Sequence, residues 1–164
     1  MNEGYYALKP DQRPDALDVV GTKATILASA TDTGAYGITF QNGDKGTGPP
    51  PHSHDWDEAF YVISGEVNFQ CGGDEHNCVA GTPVHIPRHT VHGFNYGKDG
   101  GTMMEITSRE GTSAEMFTAF DAEIDADTDI ATVLAVLKKN GVTVTPKTTL
   151  ASIAAITGDK KITA

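Results

Sequence analysis

Three scarcities set the first limits on this chain. Basic residues are few, 12 against 22 acidic ones, for a formal charge of −10. No Lys/Arg-rich face occurs, which argues against nucleic acid or an anionic membrane surface as a partner. Long apolar runs are missing too, since nothing approaches the roughly 20 residues of a membrane span. The opening MNEGYYALKP lacks the charged-then-apolar order of a signal peptide. A soluble, cytoplasmic protein is expected. Cysteine is limited to Cys71 and Cys78, and a chain of 164 residues is long enough to bury one domain's core without disulfide staples. The two flank the glycine-rich CGGDEHNC and are expected to lie opposite each other at a hairpin end, near enough for a disulfide yet reduced in a cytoplasm. His76 between them is read as part of that hairpin end, without chemistry of its own.

What the sequence does have is turn chemistry and short apolar runs. With 18 glycines, the segments LDVV, TKATILA and YGITFQ follow one another between the turn signals DTGA and NGDKG, as strands do. After a PPP turn come Ala59 to Ser64 and Glu66 to Cys71, expected to join as a tight hairpin at Gly65. Asn77 to Val79, Pro83 to Ile86, Gly93 to Tyr96 and Gly101 to Ser108 complete the series. Eight to ten short strands with no helical period between them predict an all-β antiparallel barrel or sandwich of the jelly-roll kind.

Residues 1–16 read as an extended lead-in, 17–110 as the barrel and 111–164 as a helical extension packed on the barrel or on a partner subunit. In that extension TSAE is a capping box with Thr112 at the cap. A second helix carries Ile130, Val133, Leu134 and Leu137 at helical spacing, capped by Asp127 or Thr128, with Lys138 and Lys139 at its negative end and Gly141 as its stop. The run VTVTP is expected to add a strand, and 149–157 a last helix.

The most informative stretch is GTGPPPHSHDWDEAFYVISG, Gly46 to Gly65. Side chains two apart in an extended strand share a face, so His52 and His54 project together and Glu58, an even number further on, joins them. Imidazoles and a carboxylate on one face, with room left for water or substrate, are the donor set of a catalytic divalent metal. A second stretch, GTPVHIPRHTVHGFNY, supplies His92 at the start of a strand. Neighbouring strands lie about 4.8 Å apart, so His92 can complete the set.

These two stretches resemble the paired motifs of the cupin superfamily. The first, G-x5-H-x-H-x3-E-x6-G, is matched in full by Gly46, His52, His54, Glu58 and Gly65. The second, G-x5-P-x-G-x2-H-x3-N, is matched by Gly81, Pro87 and His92, with His89 in place of the turn glycine and Tyr96 in place of the final asparagine. The resemblance covers about residues 17–110. It implies a double-stranded β-helix (jelly-roll) cupin barrel with a short C-terminal helical extension, and one divalent transition metal ion (Fe, Mn, Ni, Co or Zn) held by His52, His54, Glu58 and His92. A finer resemblance, to single-domain quercetin-dioxygenase-like cupins, implies an enzyme that uses O2 on a small enolic or phenolic, flavonol-like substrate. Glu58 would then be ligand, general base or both, and is expected to be the barrel's only inward carboxylate.

By alternation Phe60 and Val62 point into the barrel with Glu58, and Phe94 and Tyr96 with His92. Phe60, Phe94 and Tyr96 are therefore the candidate substrate pocket, with Tyr96 as its polar group. His85 and His89 are candidates for a supporting acid–base role, Asp55 and Asp57 are expected to face solvent, and Trp56 to cover the rim. A small-molecule partner is expected, with a homodimer paired through the sheets or the tail helices. Two other functions fit the same residues. One is a non-catalytic binding or sensor module. The other is a non-oxidative isomerase or decarboxylase, which needs a further acid–base group.

Overall fold

The computed structural model describes residues 6–19, 21–125 and 127–145. The predicted helix at 149–157 lies outside them. A 3-10 turn at Pro10–Gln12 leads into strands β1 (Leu17–Val19) and β2 (Thr22–Ala28), a four-residue helix α1 (Ala30–Thr33), and β3 (Tyr36–Gly43). Then follow β4 (His52–Ser53), β5 (Glu58–Cys71), β6 (Asp74–Val79), β7 (Pro83–Ile86) and β8 (His92–Ser108). Helices α2 (Ser113–Glu123) and α3 (Ile130–Lys139) and a short β9 (Thr143–Val144) end the described chain. All pairings are antiparallel, in the order β1-β2-β3-β8-β4-β9, with β5 joining β8, β6 and β7.

Two long strands make this a closed, curled sheet. The first half of β5 pairs with the second half of β8 (Glu58 opposite Thr107), and its second half with the first half of β8 (Cys71 opposite His92). The hairpin predicted at Gly65 does not form, because β5 runs straight through it. Two register shifts, between Val62 and Ser64 and between Gly65 and Val67, bend the strand there instead. Gly65 has φ +72° and faces Gly101, and a Cβ on it would lie 2.3 Å from the carbonyl oxygen of Gly100. Only glycine allows that approach. The true hairpin lies between β5 and β6, where Gly72 and Gly73, both at positive φ, turn the chain. There Cys71 faces Asp74 and Cys78 faces Val67, so the cysteines are offset along the ladder rather than opposed, and both are free.

Alternation buries one face of each strand. Phe60, Val62, Val67, Phe69, Ile86, Phe94, Tyr96 and Met103 form the barrel's interior, each large side chain contributing roughly 1.5–3 kcal/mol by leaving water. A second cluster joins Val19, Ala24 and Trp56 of the barrel mouth to Phe117, Phe120, Val133, Val136, Leu137 and Val142 of the helical extension. The extension is thus a cap over the mouth. It is also stitched to the barrel, since β9 pairs with β4, placing Val144 opposite His52.

Both predicted helices form with different ends. Thr112 does sit at the cap of α2, but its hydroxyl donates to the carbonyl of Asn140 at 2.8 Å, tying α2 to the end of α3. Glu115 accepts from Thr31 at 2.9 Å, so no capping box closes. Helix α3 is capped by Asp129, whose carboxylate accepts from the Thr132 N–H at 2.8 Å; Asp127 and Thr128 belong to the preceding turn. None of the described helices is long and apolar enough to cross a membrane.

Candidate metal centre

The donors predicted from spacing converge, though not along one strand. His52 lies on β4, Glu58 opens β5, and a bend at Asp55 and Trp56 separates them. Two contacts shape that bend. Trp56 turns inward and stacks on His54, ring centroids 4.0 Å apart and planes 1° apart, rather than covering the rim. Asp57 turns outward to Arg88, which donates from its side chain at 2.7 Å and its backbone at 3.0 Å. Those hydrogen bonds hold the Asp57 carboxyl down to about 2. Asp55 and Asp57 both lie outside the cavity described below. His92 comes in from β8, directly opposite His52.

One ring nitrogen from each of His52, His54 and His92 falls within 4.8 Å of the others. Glu58 Oε2 is 3.4 Å from His54 Nε2 and 3.1 Å from His92 Nε2. The opposite ring nitrogens are all engaged in one way. The Nδ1 of His52 bonds to the carbonyl of Pro50 at 2.8 Å, that of His54 to Trp56 at 3.0 Å, and that of His92 to Thr90 at 2.8 Å. A carbonyl only accepts, so each ring carries its proton on Nδ1 and turns the lone pair of Nε2 inward. His92 Nε2 is fully buried and, despite its closeness to Glu58, makes no hydrogen bond. Three oriented lone pairs, one of them orphaned, and a carboxylate fit a divalent transition metal. Backbone carbonyls that fix the tautomer are the usual support of such ligands.

Electrostatics agree with this use. Burial, followed by the neighbouring His92, lowers the His52 pKa to about 4, so its ring stays neutral. Burial alone would raise Glu58, but the His54 and His92 imidazoles beside it outweigh burial and hold the carboxylate below its ordinary range. Burial likewise opposes charge on His92, yet the Glu58 carboxylate beside it raises its pKa.

Above the cluster lies a cavity of about 70 Å³, lined by the three histidines and Glu58, by Phe60 and Phe94, and by cap residues including Phe117 and Leu137. Tyr96, read from the sequence as the pocket's polar group, is not among its lining residues. It packs against Phe94 in the barrel interior, and its buried hydroxyl has no hydrogen-bond partner. Burial pushes that hydroxyl's pKa up. His85 and His89 are exposed and line no part of the cavity. His89 adopts the left-handed backbone, φ 66°, that the motif's glycine would take, and its N–H donates to the His54 carbonyl at 2.7 Å.

Sequence reasoning missed Glu105. It is 2% exposed, lines the cavity, and accepts hydrogen bonds from Thr39 Oγ1 at 2.7 Å and from Gln41 Nε2. Burial first, then the Glu58 carboxylate within hydrogen-bonding reach, raises its pKa well above normal. Glu58 is therefore not the only inward carboxylate. The available signal was a glutamate in TMMEITS at the same parity as Met103, on the buried face.

Comparison with known proteins bears on the fold. No curated protein matches the chain. Residues 39–107 match the cupin domain model. Among solved structures, KdgF from Halomonas sp. aligns over 68% of this chain and 99% of its own, at 21% identity and a TM-score of 0.61. An RmlC-like cupin from Shewanella frigidimarina aligns over 66% and 95%, at 22% identity and 0.58. The polyketide cyclase RemF from Streptomyces resistomycificus aligns over 65% and 80%, at 18% identity and 0.56. With two long strands curling an antiparallel sheet around a histidine cluster, and with these likenesses, the chain has the cupin fold.

Proposed function

We propose that the chain is a metal-dependent enzyme acting on a small enolic or enolisable oxygen compound. The observation that carries this is the set of three histidines whose Nε2 lone pairs, fixed by Nδ1–carbonyl bonds, meet Glu58 at the base of an enclosed cavity. Fe, Mn, Ni, Co or Zn held by His52, His54, His92 and Glu58 would act as a Lewis acid on a substrate oxygen. In this reading Glu58 takes a proton from that substrate, and Phe60 and Phe94, which line the cavity with it, exclude water around it.

The resemblance to quercetinase-like cupins suggests O2 as co-substrate. Size argues for something smaller than a flavonol, since cavities for drug-sized ligands run to roughly 300–1,000 Å³ against about 70 Å³ here. A non-oxidative isomerase or decarboxylase is the second reading, and Glu105 favours it. That reading needs a further acid–base group, and Glu105 lines the cavity while His85, His89 and Tyr96 do not.

The test is turnover of a panel of small enols and hydroxycarbonyls by metal-loaded protein, with oxygen uptake and product followed in air and under nitrogen. Oxygen consumed with product supports the dioxygenase, and product under nitrogen the non-oxidative enzyme. Binding without product in either atmosphere would refute both and leave a binding module.

A further inference from the structure

One turn outside the cavity is tied to three of the four donors. Between β7 and β8 the chain turns at residues 87–90, closed by the Thr90 N–H on the Pro87 carbonyl at 3.1 Å, with His89 at φ 66° in the third position. The His89 N–H donates to the His54 carbonyl at 2.7 Å, and the Thr90 carbonyl accepts from His92 Nδ1 at 2.8 Å. Arg88 holds the residue beside Glu58. Its backbone N–H donates to Asp57 Oδ1 at 3.0 Å and its guanidinium to Oδ2 at 2.7 Å. His92 follows this turn along the chain, whereas His54 and Glu58 flank the separate bend between β4 and β5. The cross-links from the turn set that bend against His92.

Of these links, the one between Arg88 and Asp57 depends on side chains. Bonds to both carboxylate oxygens fix the orientation of the Asp57 side chain as well as its distance. The Asp57 main chain is held in turn by Ser108 of β8, whose N–H donates to its carbonyl at 2.9 Å. Asp57 is thus clamped between the turn and β8, and Glu58, one residue on, inherits that placement. Neither side chain of the pair lines the cavity, and both are exposed, Arg88 at 48% and Asp57 at 39%. An exposed ion pair adds little to the stability of a fold, but metal–ligand distances tolerate errors of only about 0.2 Å. We propose that Arg88 and Asp57 are positioning residues of the metal centre, which hold His54 and Glu58 in register with His92 from outside the cavity. The inference rests on the reading of the histidine cluster as a metal centre.

The experiment compares the full wild-type chain with Arg88→Ala, Asp57→Ala and the double variant. Co(II) affinity is measured by competition with a chelator, the visible absorption of the bound cobalt reports its coordination geometry, and the metal-free proteins are melted. Each single substitution is expected to weaken cobalt binding about tenfold and to change the absorption bands. The metal-free melting temperature should move by less than about 4 °C. The double variant should lose no more than the weaker-binding single variant, because both substitutions remove one link. Charge alone would act otherwise, since losing the Arg88 cation would strengthen binding of a divalent ion and losing the Asp57 anion would weaken it. Unchanged affinity and absorption in Arg88→Ala, losses that add in the double variant, or a loss that accompanies a much larger fall in melting temperature would overturn this inference alone. A wild-type chain that takes up no cobalt would overturn the metal centre and this inference together.

Discussion

Trp56 lies flat against His54, its ring 4.0 Å away and parallel to within 1°. The indole is 1% exposed and joins the cluster that binds the helical cap to the barrel mouth. One side chain therefore serves two packing tasks, holding a ligand ring in place and anchoring the cap. Trp56→Ala should cost about 3–5 kcal/mol of stability by thermal or denaturant unfolding. It should also weaken metal affinity, because the His54 ring loses the wall that fixes it.

His54→Ala removes one of four donors while leaving the strands that carry the others. Metal affinity is expected to fall more than about 100-fold, beyond the loss typical of removing a supporting residue, with the far-ultraviolet circular dichroism unchanged. Wild-type metal content in the variant, measured by elemental analysis, would refute the assigned ligand set.

Metal affinity should depend on pH through His92. Its pKa is raised by Glu58, against the effect of burial, so a proton competes with the metal for Nε2 at and above pH 6.5. Affinity then rises with pH through that raised pKa and levels off beyond it. In the metal-free protein the same proton stabilises the fold. His92's contribution is fully present below about pH 6.5 and is lost as pH rises through the folded value. His52 works the other way. Its pKa is lowered to about 4, so its contribution is present above about pH 6.5 and is lost as pH falls toward 4. Metal titrations and melting curves from pH 5 to 9 would test both signs.

Tyr96 offers a clean separation of core from chemistry. Its hydroxyl is buried and unpartnered, so Tyr96→Phe should be neutral or stabilise by up to about 1 kcal/mol. Turnover should be unchanged. A large loss of activity in a variant that melts normally would return Tyr96 to the site.

Gly65 tests the bend in β5. Alanine there meets the Gly100 carbonyl at 2.3 Å as well as an unfavourable φ, whereas at Gly46, φ +81°, a Cβ has nothing within 4 Å. Gly46→Ala should cost about 1–2 kcal/mol from backbone strain alone. Gly65→Ala should cost clearly more or prevent folding, and equal melting temperatures for the two would contradict the close crossing of β5 and β8.

The sequence by itself determined the parts that rest on short-range periodicity and spacing. Alternation placed Phe60, Val62, Phe94 and Tyr96 on inward faces, and the structure buries all four. Spacing brought His52, His54, Glu58 and His92 into one set because strand geometry has few degrees of freedom. Local capping rules also located both helices, although Thr112 and Asp129 show how tertiary hydrogen bonds reassign the ends.

Long-range packing decided the rest. A positive-φ glycine reads locally as a turn, and only the crossing with Gly100 and Gly101 makes Gly65 a bend within one strand. Burial alternation cannot tell a pocket wall from the core behind it, so Tyr96 and Phe94 looked alike until the fold put only Phe94 on the cavity. Glu105 became part of the site because β3 pairs with β8 and brings Thr39 and Gln41 beside a carboxylate more than 60 residues away. The size of the cavity was decided by the helical cap folding back over the mouth, where its apolar face finds the burial it lacks alone.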